Sequence, residues 1–299
     1  MIHDVIVIGG SYAGMAASLQ LLRARRSVLI IDAGQRRNRF AHHSHGLLAQ
    51  DGVDPAVIAA TARRQLEAYP TLRRVEAEAT SATGARDAFT VTTADGQVHQ
   101  GRRILLATGV TDALPAIEGL AERWGRSVFH CPYCHGYELD QGRIGVIASG
   151  PMSAHQAELL AEWGSVTLLV NNVLPLDPAT RAALERKRIT IETTGIKAVE
   201  GDADLRLVDG RVLGFAGLFV ATTVTPSTAI HAQLGCDCAE GPMGRTIAVD
   251  GAKKTTVPGV FACGDVAVMP HSLSIAVGDG AMAGLHLHRS LVWPEMGVS

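Results

Sequence analysis

Val5-Ile6-Val7-Ile8 is an unbroken apolar, β-branched run, and the residues after it leave little choice of architecture. Next come Gly9-Gly10-Ser11-Tyr12-Ala13-Gly14, then Met15 to Leu22 with helical spacing, then a second apolar run, Ser27 to Ile31, closed by Asp32. Short apolar runs of this kind read as strands buried on both faces, as in a parallel sheet. Strand, glycine turn, helix and strand together form the opening of a doubly wound α/β fold. In that pattern the glycines let a pyrophosphate approach a helix N-terminus, where free N–H groups and the dipole attract anions. An acid about 20 residues on accepts hydrogen bonds from a ribose; Asp32 lies 18 residues after Gly14. Ser11 stands at the middle glycine position and is small enough to leave the approach open.

Residues 36–54 are irregular and rich in Arg, His and Gly. His42, His43 and His45 read as part of a solvated loop or of a cofactor-facing one. A metal site has less support, because no Cys or second carboxylate sits at ligand spacing. Pro55 to Tyr69 has the pattern of an amphipathic helix. From Arg73 to Leu106 the period changes to two, with a turn at Asp95-Gly96, which predicts a small antiparallel meander ending at Ala107-Thr108-Gly109. Leu114 to Gly119 reads as a linker.

A second βαβ pattern comes next: strand Arg143–Ile147, helix Ser153–Trp163, strand Val166–Val170. Its turn, Ala148 to Ser153, keeps only part of the fingerprint, and Pro151 removes an N–H from the phosphate cradle. Asn171 and Asn172 stand where an acid would serve NAD, or arginines NADP. Arg181, Arg186, Lys187 and Arg188 could meet a phosphate or form a solvated helix face. Phe215–Ala221 returns as an apolar strand. Thr255–Asp265 then reads as a strand ending in Gly-Asp, followed by a helix of small residues from Ile275 to Leu285. That last strand belongs beside the first sheet, so the first domain is discontinuous and the second is inserted in it.

Between the two patterns lies Cys131-Pro132-Tyr133-Cys134-His135-Gly136-Tyr137-Glu138. Two thiols separated by two residues can close a disulfide across one helical turn or open to a reactive dithiol. Pro132 suits a helix's first turn, which would set Cys131 near the dipole and favour its thiolate. An imidazole of ordinary pKa, about 6.5, suits the proton transfer that accompanies exchange, so His135, with His130 as second candidate, is the expected acid/base. Glu138 is a candidate to orient it. Three other readings stay open: haem attachment, a zinc site shared with Cys236 and Cys238, and an inert buried pair. Cys236 and Cys238 read as part of a surface connection, and Cys263 as a small core residue.

With 47% hydrophobic and 19% charged residues in 299, the chain can build the cores of two domains, and a net charge of −2 gives no pull toward nucleic acid or membrane. The N-terminus has no basic region before its first strand, and five cysteines, an odd number, argue against a structural disulfide framework. The expected compartment is the cytoplasm.

Taken in order, Gly9–Gly14, Asp32, Ala107-Thr108-Gly109, Cys131/Cys134 and Gly259–Asp265 make the chain resemble, over essentially its whole length, the low-molecular-weight thioredoxin reductases. These are FAD-dependent pyridine-nucleotide-disulfide oxidoreductases. The resemblance implies an α/β fold of two Rossmann-like, three-layer β/β/α domains: an FAD-binding domain of residues 1–113 and 241–299, and an inserted redox-disulfide domain of 114–240. It implies FAD held by Gly9, Gly10, Ser11, Ala13, Gly14, Asp32, Ala33, Arg37, Asn38, His45, Gln50, Asp51, Ala77, Thr108, Gly109, Gly264, Asp265, Ser274 and Ile275. By the same analogy Cys134 faces the flavin and Cys131 meets the substrate, and the protein is a homodimer without a metal.

Two departures set its place within the family. His135 follows the second cysteine where thioredoxin reductases have aspartate, and the second fingerprint is eroded. Both bring the chain nearer to dithiol oxidases, which close disulfides in small molecules and pass the electrons to oxygen. Use of NAD(P)H is left open. The expected partner is a small dithiol or disulfide, or a thioredoxin-like protein. The rival readings are an NADPH-dependent thioredoxin reductase and a non-catalytic flavin- or zinc-binding regulator.

Overall fold

The computed structural model describes residues 1–294; residues 295–299, the end of the expected FAD-binding domain, lie outside the described residues. The chain divides into two compact units, one of residues 1–39, 46–111 and 224–299, the other of residues 40–45 and 112–223.

In the first unit the strands Leu72–Glu76, Val28–Asp32, Ile2–Ile8 and Val98–Leu106 lie side by side in that order, all parallel. Val98–Leu106 changes partner along its outer edge. Its start pairs antiparallel with Ala88–Thr93, and its end pairs parallel with Val260–Ala262. The expected antiparallel meander is therefore confined to Ala79–Leu106, because Leu72–Glu76 joins the parallel sheet. Asp95-Gly96 does make its turn, with Gly96 at φ +81°. The late strand is only Val260–Ala262, and the closing helix is longer than its small-residue stretch, running Leu273–Val292.

Alternate residues of the central strands feed two cores, which is why these runs are apolar throughout. Val5, Val7, Val28, Ile30 and Leu105 pack under the helices Tyr12–Arg23, Pro55–Glu67 and Leu273–Val292. Ile6, Ile8, Leu29, Ile31, Ile104 and Leu106 pack on the opposite face with Phe89, Val91, Ile230 and Cys236. Cys236 is therefore a buried core residue and not part of a surface connection, whereas Cys238 is half-buried in the strand Cys238–Gly241, whose other residues are exposed. After Gln233, Leu234 and Cys236 turn onto the sheet, while Gly235 and Asp237 are exposed.

The second unit repeats the plan. Five parallel strands run in the order Thr190–Glu192, Gly164–Leu169, Gln141–Ile147, Gly217–Val220, Val128–Phe129. Helices Met152–Leu160 and Pro178–Arg186 cover one face, and a three-stranded antiparallel sheet over residues 196–214 covers the other. This is the expected α/β, β/β/α layering, once in each unit. No helix among the described residues is long and apolar enough to cross a membrane.

Candidate active site

Four parallel strands of the first unit end on one edge, where α/β folds of this type bind ligands. Gly9 and Gly10 follow Ile2–Ile8, and Ser11 is the N-cap of Tyr12–Arg23. Gly9 is left-handed, φ +103°, and a Cβ there would run into the carbonyl oxygen of Ala107. A Cβ on Gly14 would strike the carbonyl of Gly9. Glycine is thus needed at both positions for the strand, the helix and the strand Val98–Leu106 to close up. Asp32 ends its strand beside Gly10, whose Cβ would lie 2.9 Å from that of Asp32. Ala33 follows, and Ala77 N–H donates to the Asp32 carbonyl at 3.1 Å. Thr108 and Gly109 come next to the same edge, Ala107 N–H being bonded to Ile8 O at 2.8 Å.

Gly264 presses on this turn, with its missing Cβ 2.7 Å from Ala13 Cβ. Asp265 accepts a bond from Arg37 at 2.9 Å, and the same Arg37 nitrogen lies 2.7 Å from His271 Nδ1. Asn38 donates to the Tyr12 hydroxyl at 3.3 Å, and Tyr12 to Pro55 O at 3.0 Å. The loop at Gly46 is held by Asp51, which accepts its N–H, and by Ser274, which donates to its carbonyl at 2.6 Å. Gln50 closes the same loop through Leu47 O, and Ile275 N–H is capped by Ser272. Two observations fit a bound dinucleotide. The Ser11 side chain caps none of its own helix's first N–H groups, which leaves them for an anion. Asn38 Oδ1 is buried without a hydrogen-bond partner among the described residues.

The Cys131/Cys134 pair lies in the second unit. Cys131 is the N-cap of Pro132–His135, with Pro132 at the first position, and both sulfurs belong to half-buried residues. The helix is a single turn, so the dipole favouring a Cys131 thiolate has one turn behind it. Cys134 N–H bonds back to Cys131 O at 3.3 Å and Gly136 N–H to Pro132 O at 2.7 Å. A Cβ on Gly136 would meet the Trp163 ring at 2.9 Å, which seats the turn on that indole. Tyr133 packs edge-on to Trp163, their centroids 5.3 Å apart, while Tyr133 and Tyr137 are exposed.

His135 stacks on Phe129 with centroids 4.1 Å apart. Burial, helped by the neighbouring His45, lowers its pKa to about 4, so the near-neutral imidazole expected from the sequence is instead uncharged throughout the physiological range. Glu138 turns away to His45 Nδ1, 3.4 Å distant. His45, expected at the cofactor, belongs with the second unit; His42 and His43 are exposed. The His130 carbonyl accepts from Gln156 at 2.8 Å.

The second fingerprint turn has a different character. Ser153 Oγ accepts from Ser149 N–H at 3.0 Å and from Gly150 N–H at 3.4 Å, and Pro151 has no N–H to offer. Ser149 Oγ is itself bonded to Ala221 O at 2.7 Å. Asn171 accepts from Ile196 N–H at 2.8 Å and sits at φ +46°, so it caps a bend at the strand's end.

Cys263 is wholly buried, and burial with the nearby Asp279 carboxylate pushes its thiol far above the ordinary range. Cys236 is raised likewise by burial. Among the described residues no group of three or more His, Cys, Asp or Glu side chains is placed to hold a metal ion. Sequence reasoning missed Lys253, His271 and Asp279. The only signal was a lone acid in the small, apolar first half of the closing helix.

A family profile described as pyridine nucleotide-disulphide oxidoreductase matches residues 3–280. A crystal structure of an oxidoreductase from Agrobacterium tumefaciens is 52% identical, with TM-score 0.96, covering 99% of this chain and 100% of that one. Thioredoxin reductase tcpT of Claviceps purpurea is 32% identical over 95% of this chain and 92% of its own length. Thioredoxin reductase aclD of Aspergillus oryzae is 29% identical over 98% of each.

Proposed function

Since the chain belongs to the pyridine nucleotide-disulphide oxidoreductase family and is a flavin-dependent disulfide oxidoreductase with FAD as its cofactor, we propose that it works as a dithiol oxidase. One observation carries this reading: the second fingerprint turn spends the N–H groups of Ser149 and Gly150 on Ser153 and has no donor at Pro151. A nicotinamide dinucleotide would have to displace internal bonds to lie there.

In this reading Gly9–Gly14 receive the FAD pyrophosphate, Asp32 the adenosine ribose, and Asp265 the ribityl hydroxyls. Bound there, FAD would supply the two-electron acceptor for dithiol oxidation, with oxygen as the final oxidant. The chain's own part is thiol exchange. A substrate thiolate attacks Cys131 of the Cys131–Cys134 disulfide, and Cys134 leaves as thiolate. The second substrate thiol then attacks the mixed disulfide, closing the substrate disulfide and releasing Cys131. With a pKa of about 4, His135 is a poor base for a thiol at neutral pH, so in this reading the substrate enters as its thiolate. The domain limits, a homodimer, a cytoplasmic location and a small dithiol as substrate belong to the same proposal.

A second reading, NADPH-dependent reduction of a thioredoxin-like protein, has the names of the two fungal relatives behind it. Oxygen uptake separates the two. With a small dithiol and no nucleotide, the oxidase consumes one oxygen per dithiol and forms peroxide. No uptake without NADPH would sink the oxidase reading.

A further inference from the structure

The Gly264-Asp265 turn is held from three directions, and one of the holds comes from a charge inside a helix. Gly264 is left-handed, φ +74°, and its N–H donates to Asp279 Oδ2 at 2.8 Å. The other Asp279 oxygen is paired with the Lys253 ammonium, and the two side chains are 7% and 17% exposed. Lys253 is anchored in turn, its carbonyl accepting Ala262 N–H at 3.1 Å, two residues before Gly264. On the outer side Arg37 binds the Asp265 carboxylate, and His271 Nε2 lies 3.1 Å from Asp265 O. Since Nδ1 faces the Arg37 donor, Nε2 carries the hydrogen and donates to that carbonyl.

Asp279 also sits where the two helices meet. A Cβ on the next residue, Gly280, would strike the Ala13 carbonyl, and Gly264 abuts Ala13 Cβ. The first turn of the opening helix, the Gly264 turn and the second turn of the closing helix thus share one contact point. A carboxylate suits it because two acceptor oxygens can serve a backbone N–H and a cation at once. Removing an ionised pair from water is costly unless it is paired and further hydrogen-bonded, and both conditions are met here.

We infer that Asp279, charge-balanced by Lys253, is a positioning residue for FAD: it holds the Gly264 N–H and so sets Asp265 at the edge of the cradle. This rests on the reading of Gly264-Asp265 as a flavin-binding turn. A merely structural pair would fasten the closing helix without touching cofactor affinity.

Two double variants part these roles. K253M/D279A and K253M/D279N both delete the ion pair, but only the asparagine keeps an acceptor for Gly264. FAD affinity is read by titrating apoprotein against FAD fluorescence, beside the melting temperature of each apoprotein. The inference predicts similar apoprotein melting temperatures, with FAD binding weakened at least about tenfold by K253M/D279A and less than about threefold by K253M/D279N. Equal FAD affinity in the two variants would overturn it. If the alanine variant does not fold, K253M/D279L, which fills the same space, carries the same prediction. D265N is the control for the underlying reading. If D265N leaves FAD affinity intact, the turn is not a flavin site; if D265N weakens binding while the double variants match one another, only the role of Asp279 falls.

Discussion

After its βαβ-opening strand each unit runs through a short turn into a helix: Gly9–Gly14 in one, Ala148–Ser153 in the other. The topology is the same, a parallel strand leading to a helix on the sheet's face, but the donors are used differently. In the first turn the Ser11 side chain bonds none of its helix's N–H groups, and glycines bring the backbone close. In the second turn Ser153 bonds two N–H groups and Pro151 lacks one. In the proposed reading a Rossmann-like fold keeps its layers while its phosphate cradle loses the donors that precede the helix, although both helices leave their opening N–H groups without a side-chain cap.

The difference between the units is sharpest where the proposal places the work of the second, at Cys131 and Cys134. C131S and C134S should each lower dithiol turnover at least about a thousandfold, since neither variant can form the disulfide. FAD content, read from the visible spectrum, should be unchanged. Loss of flavin with activity would move the cysteines into a structural role.

Matched substitutions in the two turns come next. Gly14→Ala drives a methyl into the Gly9 carbonyl, so a loss of about 3 kcal/mol in urea unfolding and loss of bound FAD are expected. Gly150→Ala meets nothing within 4 Å and should stay within about 0.5 kcal/mol, with turnover unaffected. Equal effects at both positions would erase the distinction.

Acid should reach the second unit through His135. Its folded pKa of about 4 lies below the ordinary 6.5, so the unfolded chain binds the proton first as pH falls. The stability concerned is complete above pH 6.5 and is lost toward pH 4, at most about 3 kcal/mol. Urea unfolding of wild type and His135→Phe at pH 7 and pH 4.5 isolates this loss, which the variant should lack. Parallel pH dependence in the two proteins would place the burial of His135 in error.

Ser153→Ala is the mildest test. Two N–H groups lose their acceptor, which should cost about 1 kcal/mol, while dithiol turnover stays within about twofold. A large fall in turnover would make the turn part of the site.

How much was legible in the sequence depends on the range of the forces involved. The first βαβ unit, its glycines and Asp32 were readable because strand and helix periods and glycine sterics act locally. The erosion of the second turn was visible at Pro151, but the closure by Ser153 was not, since it depends on which rotamer a serine adopts. His135 looked like an ordinary imidazole; its burial, with the ring stacked on Phe129, is a product of tertiary packing. Cys236 was misplaced for the same reason, because burial is set by how Ile230 and its neighbours fold back on the sheet. Lys253 and Asp279 are 26 residues apart and carry no shared motif.

The contrast between the turns is tested most directly by the flavin itself. Under anaerobic conditions, a small dithiol should bleach the visible flavin band, and air should restore it, while NADPH and NADH at many times the protein concentration leave it untouched. Rapid bleaching by NADPH would show that the second turn opens to a nucleotide after all, and would contradict the account.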